Sequence, residues 1–272
     1  MPGRCSPPPA VGVGQPPEES RGDVEAGLGA AAKTVSATYE TAAQYHNAME
    51  PHAAVAAWDG DRLTLHTPSQ GMAMAQGRLA GLFGIRPEDI HIEGPYLGGG
   101  FGSKGLISGP QVLACMAARL VGRPVKLVAT RAQMYGPMGH RAPTRQTLRL
   151  GADAEGKLTA LDHHTLTASS AFDDFFEPSG GVSHTLYASP AIGVRHEAVR
   201  LDTGTPLFMR APGEASGSVA LESAVDELAD ACGMDPLAFR LANYADVEPI
   251  SGRPFSSKAL RECYRQGAER FG

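Results

Sequence analysis

Cysteine is scarce in this chain of 272 residues, and its distribution excludes several kinds of site. The four cysteines, Cys5, Cys115, Cys232 and Cys263, stand far apart and form no C-x-x-C pair. Zinc knuckles and iron–sulfur clusters need closely spaced thiolates, so neither is predicted for this chain. The spacing gives no disulfide framework either, and we expect a reducing, cytoplasmic location.

Long apolar runs and positive net charge are also lacking. No stretch approaches the length that a bilayer demands, and residues 1–20 have prolines where a signal peptide needs an apolar segment. The formal net charge of −5 argues against sequence-independent nucleic-acid binding, which needs a basic face. We therefore expect small-molecule or protein partners, with no nucleic acid and no membrane.

The chain does have enough apolar residues for a folded protein, with 42% hydrophobic and 19% charged residues. Residues 1–32 are rich in proline and glycine and are predicted to be a flexible tail, so folded structure should begin near Lys33. We divide the rest into 33–130, which holds a glycine-rich loop, and 131–272, a sheet-and-helix region.

Hydrophobic periodicity predicts an α+β fold. Alternating residues predict a hairpin around Asp59-Gly60 and a longer one with its turn at 153–156. Apolar residues at helical spacing predict helices over 70–83 and 107–121, and an amphipathic helix that ends at Gly233. Shorter helices are predicted in 236–244 and 256–271.

The glycine-rich loop at 98–105 lies between a predicted strand and a predicted helix. Closely spaced glycines let backbone N–H groups approach an anion, and a helix N-terminus adds favourable partial charge. A tight strand-to-helix turn without a ligand is the competing interpretation. A Walker loop is excluded, because Ser103 and not glycine precedes Lys104.

A dinucleotide site is a second interpretation of the same loop. The stretch from Gly100 to Gly105 satisfies G-x-G-x-x-G between a strand and a helix. The next strand is followed by Arg131, where an NAD site would have an acidic residue for the ribose hydroxyls. An arginine could instead bind the extra phosphate of NADP, so the alternative is an NADP site. The hairpins that precede the loop argue against it, because a dinucleotide loop usually opens a run of βαβ units.

Five segments taken together resemble the molybdopterin-binding subunits of the xanthine dehydrogenase and aldehyde oxidase family. They are QYHNAMEPHAAVA, TPSQGM, GPYLGGGFGSKG, FMRAPGEASGSVALESAVDELA and FRLANY. They follow the family's order, and the likeness covers 34–271. GGGFGSKG followed by MRAPGE resembles the bacterial aldehyde-oxidising branch. The resemblance implies mixed sheets with packed helices, as in the first molybdopterin-binding domain, and makes 33–130 the cofactor-loop region.

The resemblance also implies a molybdenum–molybdopterin cofactor, with the cytosine dinucleotide form as one option. Gln70 would donate a hydrogen bond to an oxo ligand of the metal, and Gly100, Phe101 and Gly102 would present backbone to the cofactor. The family holds its metal through the pterin and not through side chains. Gln70 could alternatively begin the following helix, and Phe101 could be a hydrophobic anchor.

Two arginines complete the implied site. Arg210 would lie at the substrate end as the catalytic residue of this chain, and Arg240 would lie near the cofactor. Arg240 could instead pair with a surface carboxylate. Arg210 is harder to explain without a function, because it lies just before a helix N-terminus, where positive charge is unfavourable.

Several histidines invite a metal interpretation that their spacing does not favour. His46, Glu50 and His52 match no standard metal site, and we predict a structural role for them. His163 and His164 are adjacent on a predicted strand, so they point to opposite faces and cannot easily bind one ion.

The sequence departs from the family pattern at Gly105, where purine-oxidising members have glutamate, so an aldehyde or small heterocycle is the expected substrate. The family's general-base glutamate lies in a later half that this sequence does not contain. We therefore expect a molybdenum-dependent oxidoreductase that is inactive without a complementary half. Iron–sulfur clusters and FAD are expected on partner subunits. A truncated, non-catalytic remnant and, with a signal-bearing partner, a periplasmic location are the alternatives.

Overall fold

The computed structural model describes residues 5–272. The strands are β1 (Glu18–Arg21), β2 (Lys33–Thr41), β3 (Ala53–Asp59), β4 (Arg62–His66), β5 (Ile90–Glu93), β6 (Val125–Val128), β7 (Thr144–Ala152), β8 (Leu158–Ser170) and β9 (Ile192–Leu201). The helices are α1 (Val24–Gly29), α2 (Met72–Phe83), α3 (Gly109–Val121), α4 (Glu214–Ala231), α5 (Pro236–Ala242) and α6 (Leu260–Phe271). Both sheets are mixed, which confirms the predicted α+β class.

The larger sheet has five strands in the order β1-β9-β8-β7-β2. β8 and β9 are parallel, and the other neighbours are antiparallel. The predicted long hairpin is confirmed as β7 and β8. The apolar side of α4, which includes Leu221, Val225 and Leu228, is buried in one core with Leu148 and Leu161 of this sheet.

The smaller sheet has four strands in the order β5-β4-β3-β6 and carries the glycine-rich loop. β3 and β4 form the predicted hairpin, and β5 runs parallel to β4. Helices α2 and α3 share a core with these strands, in which Leu63, Leu65, Leu79 and Cys115 are buried. α2 ends at Gly84 in a left-handed conformation, which is a common helix stop. The loop therefore follows β5, the edge strand of a sheet that shares its core with both helices.

The predicted flexible tail at 1–32 is corrected by the structure. Strand β1 pairs with β9, and α1 begins at the cap residue Asp23, whose side chain accepts a hydrogen bond from the Ala26 amide. Tertiary pairing overrides the proline- and glycine-rich composition here, because β9 offers an edge for β1 to join. Folded structure thus begins well before Lys33, and only residues 1–4 of the predicted tail lie outside the described residues.

The larger sheet contains strands from both sides of the predicted division at residue 130. Strand β2 lies in the cofactor-loop region by sequence, but it pairs along its whole length with β7 of the larger sheet.

Each helix in the described part of the chain is too short or too polar to span a bilayer.

Candidate functional site

The glycine-rich loop at 98–105 has an unusual backbone. Gly99, Phe101 and Gly102 have φ values of 96°, 55° and 110°, in the left-handed region that favours glycine. A Cβ on Gly102 would lie 2.1 Å from the Phe208 carbonyl oxygen, so only glycine fits there. A non-glycine residue such as Phe101 in this region costs roughly 1–3 kcal/mol, and such residues cluster at functional sites.

Gln70 holds this loop from the segment between β4 and α2. Its backbone N–H donates to the Lys104 carbonyl at 2.8 Å. Its side-chain Oε1 accepts from the amides of Gly102 at 2.9 Å and Lys104 at 3.3 Å. A Cβ on Gly100 would lie 2.3 Å from that oxygen. Because the carbonyl end of the Gln70 amide is held by two N–H groups, its NH₂ end is the group left to donate elsewhere.

The segment that contains Arg210 packs directly against the loop. The Arg210 amide donates to the Phe101 carbonyl at 2.9 Å, and a ring nitrogen of His46 lies 2.6 Å from the Phe208 carbonyl oxygen. Ala211 has a φ of 55°, also in the left-handed region. The structure therefore brings together Gln70, the loop and Arg210, whose side chain is exposed.

Arg141 holds the segment that contains Arg210 through hydrogen bonds to its carbonyl groups, a role that the sequence did not predict. Its guanidinium donates to the carbonyls of Met209 at 3.0 Å and Ala211 at 3.2 Å, and to the Gln44 side chain at 3.0 Å. It also forms a buried ion pair with Glu177 at 3.2 Å. Burial raises the pKa of Glu177 despite this pair. Arg141 lies far from its partners in sequence, so no local pattern pointed to it.

The histidine-rich motif near residue 50 supports the loop rather than forming a metal site. His52 lies between the Ser103 carbonyl, 3.1 Å from Nε2, and the sulfur of Met134. Glu50 forms an ion pair with buried Lys104 at 2.7 Å. Burial lowers the pKa of His52, so its ring is neutral near pH 7. Within 5–272, no three His, Cys, Asp or Glu side chains lie together suitably for a metal ion.

A cleft of about 710 Å³ opens beside the loop. The loop contributes Ser103 and Gly105 to its wall, and Ser108 lies at the start of α3. The lining also includes Phe175 and Phe208, whose rings are 4.6 Å apart at their centroids in an edge-to-face arrangement. The cleft is thus partly aromatic and adjoins the end of the loop, whereas Gln70, Phe101 and Arg210 are not among its lining residues.

Arg240 is not brought to this loop. Its guanidinium contacts Glu222 at 2.7 Å and Asp226 at 2.6 Å, both on α4. At 1.5 Å per residue, these partners lie about 12 to 18 Å along the helix from its start near Arg210. The contacts match the competing interpretation of Arg240 as an ion-pair residue, and its cofactor role stays a prediction.

The paired histidines on β8 point to opposite faces, as expected. His163 is buried between Ser183 and Gln146, with both contacts at 2.9 Å. His164 lies on the other face and contacts Glu197 at 3.0 Å. Neither ring reaches the glycine-rich loop through a hydrogen bond, so both are packing or surface residues of the larger sheet.

The NADP interpretation fails on the structure. A dinucleotide loop needs a parallel, doubly wound sheet, whereas β5 is an edge strand of a small mixed sheet. Arg131, proposed for the extra phosphate, donates instead to the carbonyls of Ala48 at 2.7 Å and Met49 at 2.6 Å. Its guanidinium is thus held by the protein.

The fold and the glycine loop define a class of cofactor-binding domain, and comparison identifies the class. The family model of the molybdopterin cofactor-binding domain matches residues 11–244. The chain belongs to this family, which confirms the resemblance in its sequence.

Individual relatives agree with that assignment. The chain is 42% identical over 268 residues to the aldehyde oxidoreductase molybdenum-binding subunit PaoC of Escherichia coli (strain K12), covering 96% of this chain and 36% of that protein. It is 29% identical over 262 residues to aldehyde oxidase 4 of Arabidopsis thaliana, covering 93% of this chain and 19% of that protein. The chain thus spans about a third of the length of the bacterial relative and about a fifth of the plant one.

Solved structures share the fold. The aldehyde oxidoreductase from Desulfovibrio gigas aligns with a TM-score of 0.83 at 24% identity, over 99% of this chain and 32% of that one. Reconstituted CO dehydrogenase from Oligotropha carboxidovorans aligns with a TM-score of 0.82 at 21% identity, over 100% of this chain and 39% of that one.

Proposed function

We propose that this chain is the first cofactor-binding part of a molybdenum hydroxylase that oxidises an aldehyde or a related carbon, with water as the oxygen source. The observation that carries the proposal is the orientation of Gln70. Two loop amides fix its carbonyl end, which leaves the NH₂ end as a donor beside the loop. The likeness to PaoC, named an aldehyde oxidoreductase subunit, supports the aldehyde class.

The residues present fit a cofactor held through main-chain groups. Among residues 5–272, the N–H groups of Gly100 and Phe101 have no acceptor, although Gly100 is buried. Buried N–H groups are almost always paired, so an external acceptor is expected here. Phosphate, pterin and oxo oxygens are suitable acceptors.

Each residue then has a distinct task in the proposed site. Gly100 and Phe101 would donate backbone N–H groups to the cofactor, and Gln70 would donate from its side-chain amide. When bound, the cofactor would supply the two-electron oxidation. The exposed Arg210 guanidinium would attract the polar end of the substrate and stabilise negative charge that develops there. Gly105 offers no carboxylate for a purine, which is consistent with an aldehyde or small heterocycle.

The remaining parts of the enzyme are proposed to lie elsewhere. A complementary molybdopterin-binding half would supply the general-base glutamate, and iron–sulfur and FAD subunits would carry the electrons away. The cytosine dinucleotide form of the cofactor is the form we propose. We propose a cytoplasmic location, with export to the periplasm on a signal-bearing partner as the alternative.

The first test is cofactor analysis after expression in a molybdenum-supplied host, with and without the complementary half. Stoichiometric molybdenum and pterin, together with oxidation of aldehydes but not xanthine, are expected when the half is present. Gln70→Met should lower turnover by about tenfold to a hundredfold, the usual range for residues that orient a metal centre.

The matched control for Gln70→Met is Gln266→Met on α6, whose side chain contacts Glu262 on the helix surface. It should keep wild-type turnover. If neither preparation of the wild-type protein contains molybdenum or pterin, the catalytic proposal fails and the chain is a non-catalytic remnant that keeps the fold.

A further inference from the structure

Glu50 contacts both ends of the glycine-rich loop. At the start of the loop, its N–H donates to the Gly98 carbonyl at 3.0 Å, and its Oε2 accepts from the Gly98 amide at 2.8 Å. At the far end, Lys104 Nζ donates to Glu50 Oε2 at 2.7 Å and to the Glu50 carbonyl at 3.0 Å. One residue outside the loop thus binds Gly98 and Lys104 through both its main chain and its side chain.

The two charges of this pair are buried to different extents. Lys104 is 1% exposed, whereas the Glu50 side chain is 34% exposed. A buried ammonium is costly unless a counter-charge and hydrogen bonds satisfy it, and Glu50 supplies both. The Lys104 ammonium is therefore occupied by Glu50, unlike the lysine of a phosphate-binding loop, which is free to contact its ligand.

The close approach at Gly98 indicates that this contact is built into the loop. A Cβ on Gly98 would lie 2.5 Å from the Glu50 Cβ. Gln70 acts on different atoms, because it accepts from the amides of Gly102 and Lys104. The free N–H groups of Gly100 and Phe101 lie between these two sets of contacts.

We propose that Glu50 and Lys104 are positioning residues that clamp the glycine-rich loop in the conformation that binds the cofactor. The inference rests on the proposed function, in which this loop holds the molybdenum cofactor. The pair links Gly98 at the start of the loop to Lys104 near its end. The unpaired amides of the loop are therefore held in place before the cofactor binds. Preorganisation of this kind lowers the entropic cost of binding.

The electrostatics of Glu50 give the clamp a pH signature. Partial burial raises the Glu50 pKa, but the hydrogen bonds from Lys104 and Gly98 outweigh it, and the pKa is lowered. As pH falls through this lowered pKa, Glu50 is protonated and the charge pair is lost. Without Lys104 there is no charge pair for acid to break, so a Lys104→Met variant should show less of this pH dependence. Other charged or titratable groups near Glu50 are His52, His66, Glu93, Tyr96 and Lys126, together with Arg131 on the neighbouring Met49 carbonyl.

The test measures how fast molybdenum and pterin are lost on dialysis from the protein purified with its complementary half. Lys104→Met and Glu50→Gln should each speed cofactor loss by about tenfold to a hundredfold. The double variant should lose cofactor no faster than Lys104→Met, because it leaves no buried charge unpaired. In Lys104→Met cofactor loss should already be fast at neutral pH and should increase less on acidification than in wild type, because the pair that acid breaks is absent.

Two controls separate positioning from general stability. Lys126→Met removes an exposed lysine from β6 of the same sheet and should retain cofactor like wild type. Leu63→Ala shortens a buried side chain in the core of that sheet, since Leu63 is 1% exposed. It should lower the thermal midpoint at least as much as Lys104→Met while losing cofactor more slowly.

Several outcomes would overturn the clamp. It fails if the single variants keep cofactor as wild type does, or if Leu63→Ala loses cofactor as fast as Lys104→Met at an equal thermal midpoint. An acid-induced increase in Lys104→Met as large as that in wild type would also contradict it. A wild-type protein that never contains molybdenum or pterin would instead overturn the proposed function, and the clamp with it.

Discussion

At the scale of single residues, two glycines of the same region have opposite structural roles. Gly102 has a φ of 110° and faces the Phe208 carbonyl, where a Cβ would lie 2.1 Å from the oxygen. Gly77 lies within α2 with nothing within 4 Å of the position of a Cβ. The first glycine is required by the close contact between the loop and the Arg210 segment, whereas the second only weakens its helix.

Gly102→Ala should therefore displace the loop from Phe208 and abolish stoichiometric cofactor. Gly77→Ala should stabilise the protein by about 1 kcal/mol, because alanine favours a helix over glycine by that amount. Urea unfolding and pterin analysis of both variants check this pair. A Gly102→Ala protein with full cofactor content would show that the loop tolerates the displacement.

At the scale of elements, α5 is tied to α4 by Arg240. The Arg240 side chain is 13% exposed and contacts two carboxylates of α4, Glu222 and Asp226. α4 in turn begins just after the Arg210 segment and packs on the larger sheet. The ion pair therefore stabilises the helix that follows the site, without an observed contact to the loop.

Arg240→Met should lower the free energy of unfolding by about 2 kcal/mol, as for hydrogen bonds to charged groups. Pterin content should not change. Arg265→Met on α6 is the control, because its ion pairs with Glu262 and Glu269 are exposed and contribute at most about 0.5 kcal/mol. Loss of pterin from Arg240→Met at unchanged stability would instead support the predicted cofactor contact.

At the scale of the whole molecule, buried histidines make stability depend on pH. Burial, with smaller effects from neighbouring histidines, lowers the pKa of His163 to about 3. Its ring links β8 to Gln146 of β7, whose amide also donates to the Ser216 carbonyl on α4. A neutral ring satisfies both contacts, because one nitrogen can donate to Gln146 Oε1 while the other accepts from the Ser183 hydroxyl.

The sign of the pH dependence follows from this lowered pKa. Below the ordinary histidine pKa of about 6.5, the unfolded chain takes up a proton that the folded chain does not. Stability should therefore fall by up to about 1.4 kcal/mol per pH unit between pH 6.5 and 5 on account of His163. His163→Gln should lower stability at neutral pH but make this slope shallower, as measured by urea unfolding.

Leu161→Val is the control for His163→Gln, since Leu161 lies on the same strand and is fully buried. It should lower stability at every pH and keep the wild-type slope. An equally steep slope in His163→Gln would mean that other groups cause the acid sensitivity.

The sequence by itself determined the features that depend on near neighbours in the chain. Alternation and helical spacing predicted the two hairpins and helices α2, α3 and α4, because each pattern reports which face of an element is buried. Consecutive glycines marked the loop, because few other residues adopt its backbone. Gln70 and Arg210 were named through family-like segments, and the structure brings both to the loop.

Only the tertiary structure decided the contacts between distant residues. Glu50 and Lys104 are separated by 54 residues, and Arg141 reaches Met209 across 68. β1 pairs with β9, and next to it a ring nitrogen of His196 contacts the Pro17 carbonyl oxygen, 179 residues away in the sequence. The composition of residues 1–32 predicted a flexible tail, since nothing local shows that a sheet edge will be available to them. Pairing and charge compensation depend on which surfaces the fold brings together, and that is set by packing of the whole chain.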